Sequence, residues 1–247
     1  MPEYEVGVDE AGRGPAIGPL VVCALSVPRK DRIFLSELGV DDSKRLSKKR
    51  REEVFGKIKH HSDLRGWGIG LDICEPNIID DWRKSGTLNS LEVKMFANAI
   101  KDAAKPSNVC SIFLDACDIN AERFGSNISS ILGSTWEECQ IESRHNMDSA
   151  DVIVGGASII AKVTRDLKMD KISKQVGLDI GSGYPSDPKT KKAIEILCST
   201  SSEDPHKSLR WSWKNVRRSW AMQNTRPMPN RSSDFETSTQ STLRDWK

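Results

Sequence analysis

Residues 20–27, Leu-Val-Val-Cys-Ala-Leu-Ser-Val, form a near-continuous apolar run fenced by Pro19 and Pro28. A run this short, rich in Val and Leu and bounded by prolines, reads as a buried strand. It follows a second strand-like segment, Tyr4 to Asp9, in which Tyr4, Val6 and Val8 alternate with Glu5, Gly7 and Asp9. The residues between the two are rich in Gly and Pro, as a turn requires.

Helical and strand patterns alternate beyond this pair. Ser47 is placed to cap a highly charged helix running to His60, and Leu64 to Leu71 alternates like a strand, although it carries three glycines. Thr87 to Ala104 puts Leu88, Leu91, Met95, Phe96 and Ala99 near one helical face. Val109 to Asp115 and Thr135 to Ser143 read as further strands, and Ala157 to Lys174 as a long helix. The loop Gly181 to Pro185 precedes two more helices, Lys189 to Leu197 and Trp213 to Met222. Strands mixed with helices, and then helices alone, predict an α/β domain with helical additions. Expected boundaries are a domain over 1–185, a helical extension over 186–222 and a tail over 223–247. The tail is dominated by Asn, Pro, Ser, Thr and Arg, holds few large apolar groups and is expected to be disordered.

Composition narrows the function. Net charge is only +2, yet residues 186–231 hold ten Lys or Arg against four Asp or Glu, an excess suited to a polyanion. No stretch approaches the roughly 18 apolar residues of a membrane span, and the first residues run into a strand without a secretory signal, so a cytoplasmic protein is expected. The six cysteines are scattered without a Cys-x-x-Cys pair. That pattern argues against a disulfide framework or structural zinc site and predicts buried, reduced thiols. The four histidines form no recognisable triad.

Carboxylates gather at predicted strand ends. Asp9 and Glu10 close the first strand, Asp115 closes another, and Asp148 lies eight residues before Gly156-Ala157-Ser158. Neighbours in a strand face opposite ways, so a site shared by Asp9 and Glu10 requires the strand to end or bend there. Acids converging from different strands can hold two hard cations with oxygen ligands, the arrangement that hydrolyses phosphodiesters. Taken singly, each acid could instead be a turn residue or helix cap.

Six ordered motifs carry a family resemblance. Val8-Asp9-Glu10-Ala11-Gly12-Arg13-Gly14-Pro15, followed by Gly18-Pro19-Leu20-Val21-Val22, resembles the signature of type 2 ribonuclease H, ribonuclease HII. Asp42-Ser43-Lys44, Leu114-Asp115-Ala116, the helix from Ala157 to Asp166, the loop from Gly181 to Thr190, and Arg210-Trp211-Ser212-Trp213 resemble that family's later motifs. The resemblance covers residues 4 to about 220. It implies a ribonuclease H-like fold: a mixed central sheet flanked by helices, with a C-terminal helical extension.

It also implies the chemistry: hydrolysis of RNA in RNA/DNA hybrids and cleavage 5′ of ribonucleotides embedded in duplex DNA, leaving 3′-hydroxyl and 5′-phosphate. Asp9, Glu10, Asp115 and Asp148 would be catalytic ligands to Mg²⁺ or Mn²⁺. Asp151 competes for the fourth place but lies less well relative to Ala157-Ser158. The family's lysine two residues ahead of that acid is replaced by Asn146. Gly12, Arg13 and Gly14 would approach the ribose 2′-hydroxyl, since glycine permits close backbone contact, or they form only a tight turn. Tyr184 would pack on the neighbouring sugar, or be an ordinary core aromatic. Lys44 and Arg165 are candidates for phosphate, Arg165 equally for a surface salt bridge.

Gln240, Leu243 and Trp246 in the tail resemble the peptide by which replication proteins bind the sliding clamp, a pattern shared with archaeal members. An archaeal-like, monomeric enzyme acting in ribonucleotide and primer removal is therefore expected. The competing readings are the catalytic subunit of a three-subunit enzyme, a non-catalytic hybrid-binding protein and an integrase-like nuclease.

Overall fold

The computed structural model describes residues 3–40, 46–199 and 203–231. Strands β1 (Tyr4–Ala11) and β2 (Leu20–Pro28) are followed by helices α1 (Arg32–Glu37) and α2 (Lys48–Arg65). Then come β3 (Gly68–Cys74), α3 (Pro76–Trp82), α4 (Leu88–Ala103), β4 (Val109–Asp115), α5 (Ala121–Leu132) and β5 (Gln140–Arg144). Four further helices, α6 (Met147–Ala150), α7 (Val152–Val176), α8 (Pro188–Ser199) and α9 (Lys214–Gln223), complete the order. The sheet runs β3-β2-β1-β4-β5, antiparallel among its first three strands and parallel from β1 through β4 to β5. This is the mixed sheet expected of a ribonuclease H-like fold.

Every residue of β2 is buried, which is why its apolar pattern is continuous rather than alternating. Helices cover both faces. Val6, Val8, Leu20, Val22 and Ala24 pack with Phe96 and Ile100 of α4 and Phe124 of α5. Val21, Cys23, Leu25 and Val27 pack on the other face with Ile153, Ala157 and Ile160 of α7 and Leu35 of α1. A third cluster joins Ile17 to Met169, α8, Leu209 and Trp220 of α9. No helix among the described residues is long and apolar enough to cross a membrane.

Element boundaries differ from the sequence pattern for local reasons. The second helix runs on to Arg65, so Leu64 is helical, and Gly66 at φ +70° ends it. The segment at Thr135 begins as a 3₁₀ turn and becomes β5 only at Gln140. The long helix starts at Val152 because Asp151 caps it, accepting from the N–H groups of Ile153 and Val154. All six cysteines are free, but Cys110 and Cys117, near the two ends of β4, are only half-buried, correcting the expectation of six buried thiols.

Two close approaches rest on glycine. A Cβ on Gly70 would lie 2.7 Å from Ala103 N, because α4 packs directly on β3; this explains the glycines that weaken the alternation there. A Cβ on Gly7 would lie 2.5 Å from the carbonyl carbon of Ile153, at the start of α7. Backbone cannot yield as a side chain can. Gly7→Ala is therefore expected to cost about 2–3 kcal/mol, or roughly 5–10 °C in Tm for a chain of this size. Thermal unfolding followed by circular dichroism checks this, and an unchanged midpoint would contradict the packing.

Candidate active site

Pairing between β1 and β4 stops at Val8↔Leu114, whereas β1 stays paired with β2 through Glu10↔Val22 and Ala11↔Val21. The strand thus runs two residues past Asp9. Its next residue and that of β4, Asp9 and Asp115, flank the point where the two strands part. Both lie on the α7 side of the sheet, and Asp148 of α6 joins them. Oxygens of these three carboxylates fall within 4.8 Å of one another. Asp9 and Asp148 are buried, at 4% and 3% exposure.

The neighbours of the trio are placed by main chain and by α7. Asp9 accepts from the Glu10 N–H at 2.7 Å and from the Ser158 hydroxyl. Asp115 accepts from the Met147 N–H at 3.0 Å. Lys162, one turn after Ser158, donates to its Oγ at 2.8 Å and lies 3.9 Å from Asp148. Burial, reinforced by the nearby Glu10 and Asp115 charges, holds the Asp9 carboxyl well above the usual carboxylate range. Ser158 and Lys162 stand four apart in the long helix, a spacing that puts both on one face, yet only the fold shows that this face meets acids.

Glu10 faces the other side of the sheet. Its carboxylate adjoins Asp9 and also groups with Glu92 and Cys117 within 4.8 Å. Glu92 is fully buried, and burial pushes its carboxyl up to about 8 despite the opposing pull of Arg13. The Arg13 Nε donates to Glu92 at 3.0 Å, and its Nη2 donates to Asn89 at 2.6 Å, one turn earlier on α4. Burial, with the neighbouring Glu10 and Glu92 carboxylates, raises the Cys117 thiol well above its ordinary range.

Asp151 is committed elsewhere. Besides capping α7 it pairs with Arg32, which also pairs with Glu5 at 2.8 Å. Asn146 adopts φ +58°, the only positive φ among described non-glycine residues, in a left-handed conformation that Asn tolerates better than most residues.

Gly12-Arg13-Gly14 lies beside the acids, with Gly12 at φ +95°. Its surroundings come from distant parts of the chain. Arg210, fully buried, donates to the carbonyls of Gly12, Arg13 and Gly18 at 2.6, 3.0 and 3.0 Å. Trp213 Nε1 donates to Gly14 O at 3.2 Å, and Ala16 N donates to Gly183 O at 2.8 Å. The last bond draws the tyrosine loop alongside. Tyr184 is 42% exposed, with its ring edge 3.3 Å from where a Gly14 Cβ would sit, so it is not a core aromatic.

Arg165 lies below both loops rather than at the surface. It is 6% exposed, donates to Ser182 O at 3.0 Å and sits 5.7 Å from the Tyr184 ring centre. Lys44, Gln240, Leu243 and Trp246 lie outside the described residues.

Comparison with known proteins identifies the family. The family profile described as Ribonuclease HII matches residues 6–216. Ribonuclease HII of Methanocella arvoryzae is 47% identical over 186 residues, 75% of this chain and 78% of that protein. The crystal structure of ribonuclease H2 from Pyrococcus horikoshii superposes with a TM-score of 0.78 at 33% identity, covering 90% of this chain and all of that one. The PCNA:RNase HII complex from Archaeoglobus fulgidus contains a chain that superposes with a TM-score of 0.73 at 30% identity, covering 85% of this chain and 95% of that one. With a profile match over most of its length and relatives of this similarity, the chain belongs to the ribonuclease HII family and is a ribonuclease H.

Proposed function

We propose that this ribonuclease H cuts on the 5′ side of a ribonucleotide, both within RNA/DNA hybrids and at single ribonucleotides in duplex DNA, leaving 3′-hydroxyl and 5′-phosphate ends. The observation carrying this reading is the juxtaposition of a buried carboxylate trio with a glycine loop and an exposed tyrosine. Asp9, Asp115 and Asp148, with Glu10 at their edge, would hold Mg²⁺ or Mn²⁺. The donors suit a hard cation: they are carboxylate oxygens, and burial, reinforced by their crowding, leaves Asp9 reluctant to ionise until positive charge arrives. Divalent ions bound there supply Lewis acidity at the phosphate and activation of water.

The residues of the chain do the positioning. Gly12, Arg13 and Gly14 bring backbone up to the 2′-hydroxyl, which DNA lacks. Tyr184 offers a ring face to the adjacent sugar. Arg165 supports both loops from below, and Lys44 serves phosphate. Mapping the cut on two substrates, a duplex with one ribonucleotide and a continuous hybrid, tests this. Incision 5′ of the lone ribonucleotide is the expected result, and cleavage of the hybrid alone would refute the ribose-reading role of the loop.

The tail residues Gln240, Leu243 and Trp246 would bind a sliding clamp, a reading supported by the PCNA complex of the Archaeoglobus relative. On this reading the enzyme acts in DNA replication and repair, in the cytoplasm and as a monomer. Removing residues 238–247 is expected to abolish clamp binding in a pull-down and leave cleavage of a short duplex unchanged. Undiminished clamp affinity would sink the assignment.

A further inference from the structure

Three carbonyls of one loop, those of Gly12, Arg13 and Gly18, converge on the guanidinium of Arg210. All three bonds are to backbone oxygen, which is an unusual use of a fully buried cation. Burying such a charge is costly unless it is well bonded, and burial lowers the Arg210 pKa to about 9. The Trp213 ring lies 4.9 Å from the guanidinium, while its Nε1 donates to Gly14 O. Ser208 and Arg210 also bond the loop through their main chain: Gly18 N donates to Ser208 O at 2.9 Å, and Arg210 N donates to Ala16 O at 2.9 Å. The segment 208–213 thus holds the loop from beneath along most of its length.

The consequence follows from peptide geometry. In a planar trans peptide the C=O and the following N–H point in opposite directions, and no described peptide bond is cis. With the Gly12 carbonyl directed at Arg210, the Arg13 N–H must face away from it. With the Arg13 carbonyl directed there too, the Gly14 N–H must also face away. A cation on the carbonyl side polarises both peptides and strengthens both donors. Arginine suits this task because its planar fork addresses several acceptors at once, which a lysine ammonium cannot do in the same geometry.

We propose that Arg210 is a positioning residue for ribose selection: from the C-terminal segment it turns the Arg13 and Gly14 amides outward as paired donors to the 2′-oxygen. This inference rests on the reading of the loop given above and adds the group that sets its orientation. Trp213 assists by holding the Gly14 carbonyl.

The test compares Arg210→Lys, Trp213→Phe and the parent by fluorescence anisotropy in EDTA. The probes are a labelled duplex containing one ribonucleotide and the same duplex made wholly of DNA. The parent is expected to prefer the ribonucleotide duplex. Arg210→Lys is expected to reduce that preference about tenfold, equivalent to about 1.4 kcal/mol, with affinity for the all-DNA duplex unchanged. Trp213→Phe should shift it about threefold in the same direction. Equal weakening on both duplexes, or an unchanged preference, would overturn the proposal by making Arg210 a purely structural group. Should Arg210→Lys fail to fold, Trp213→Phe decides alone, and an unaltered preference again overturns it. A parent with no preference would defeat the ribose-reading loop and this inference together. A parent with a clear preference that both variants retain would defeat this inference only.

Discussion

Asp115→Asn is expected to lower cleavage of a ribonucleotide-containing duplex at least about a thousandfold, equivalent to about 4 kcal/mol of barrier, while making the EDTA-treated protein more stable. The loss follows from removing one of three carboxylates whose oxygens lie within 4.8 Å of one another. The gain has the same origin. Burial comes first among the causes that raise Asp9, but the Asp115 and Glu10 charges add to it, so removing one of them relieves a repulsion stored in the folded state. The Asn carbonyl can still accept from the Met147 N–H, so the end of β4 keeps its anchor.

The pH dependence has a definite sign. A carboxyl whose pKa is higher folded than unfolded binds its proton more tightly in the folded state. Its contribution therefore falls as pH rises from the ordinary carboxylate range through the raised value. Without metal, the parent should lose stability across that window, and Asp115→Asn should lose less. Divalent ions must displace the Asp9 proton, so their affinity should climb with pH over the same interval. Thermal unfolding in EDTA at several pH values, beside a metal titration, measures both. Cleavage by Asp115→Asn near the parent rate would remove Asp115 from the site.

Gly12→Ala should be nearly as damaging by a different route. At φ +95° an alanine is strained, and its Cβ would lie 2.5 Å from Arg165 Nε and 2.7 Å from Pro19 O. Arg165 has little room to retreat: its Nη2 bonds Ser182 O and lies 2.9 Å from where a Gly183 Cβ would sit. The loop must shift instead, and a displacement of about 1 Å in a group that orients substrate can cost about a hundredfold in kcat/KM. Gly14→Ala is the informative comparison, because its added Cβ would meet only the edge of the Tyr184 ring, at 3.3 Å. It should fold normally and act mainly on substrate contact. If Gly12→Ala kept kcat/KM within twofold of the parent, the loop would not be the close-fitting element described.

The parts of the molecule legible in the sequence were those whose physics is local. Apolar residues fenced by prolines marked β2, and periodicity at Leu88, Leu91, Met95 and Phe96 marked α4. The helices after the tyrosine loop lay within a residue or two of their patterns. The apolar pattern marks α7 only from Ala157, while the helix begins at Val152 and contains Gly155 and Gly156. They are small for packing: Cβ atoms there would meet Val40 O at 3.0 Å and Leu25 Cδ2 at 2.7 Å. Helix α5 is poorly marked in sequence, since its Ser and Asn content dilutes the Phe124, Ile128 and Leu132 stripe that is buried.

Site residues divide in the same way. Acids at strand ends stand out in sequence, but the division of Asp9 and Glu10 between two faces depends on where β1 leaves β4. Glu92 carries a signal in sequence: it stands between Leu88 and Phe96 in an i, i+4 series, an acid on a stripe otherwise apolar. Arg210 had none. Its partners lie 192 to 198 positions earlier, and no local pattern connects them.

That separation has a bearing on when the protein becomes competent. During synthesis the chain emerges from its N-terminus, so the glycine loop is made among the first residues and waits for nearly the whole length to follow. Until Arg210 has left the ribosome, the Gly12 and Arg13 carbonyls lack the bonds that orient them. Contacts so distant in sequence are also slow to close. A nascent chain therefore carries its acids long before Arg210 can bond the loop, and on the role proposed for Arg210, truncated products ending before residue 210 would lose the distinction between ribose and deoxyribose.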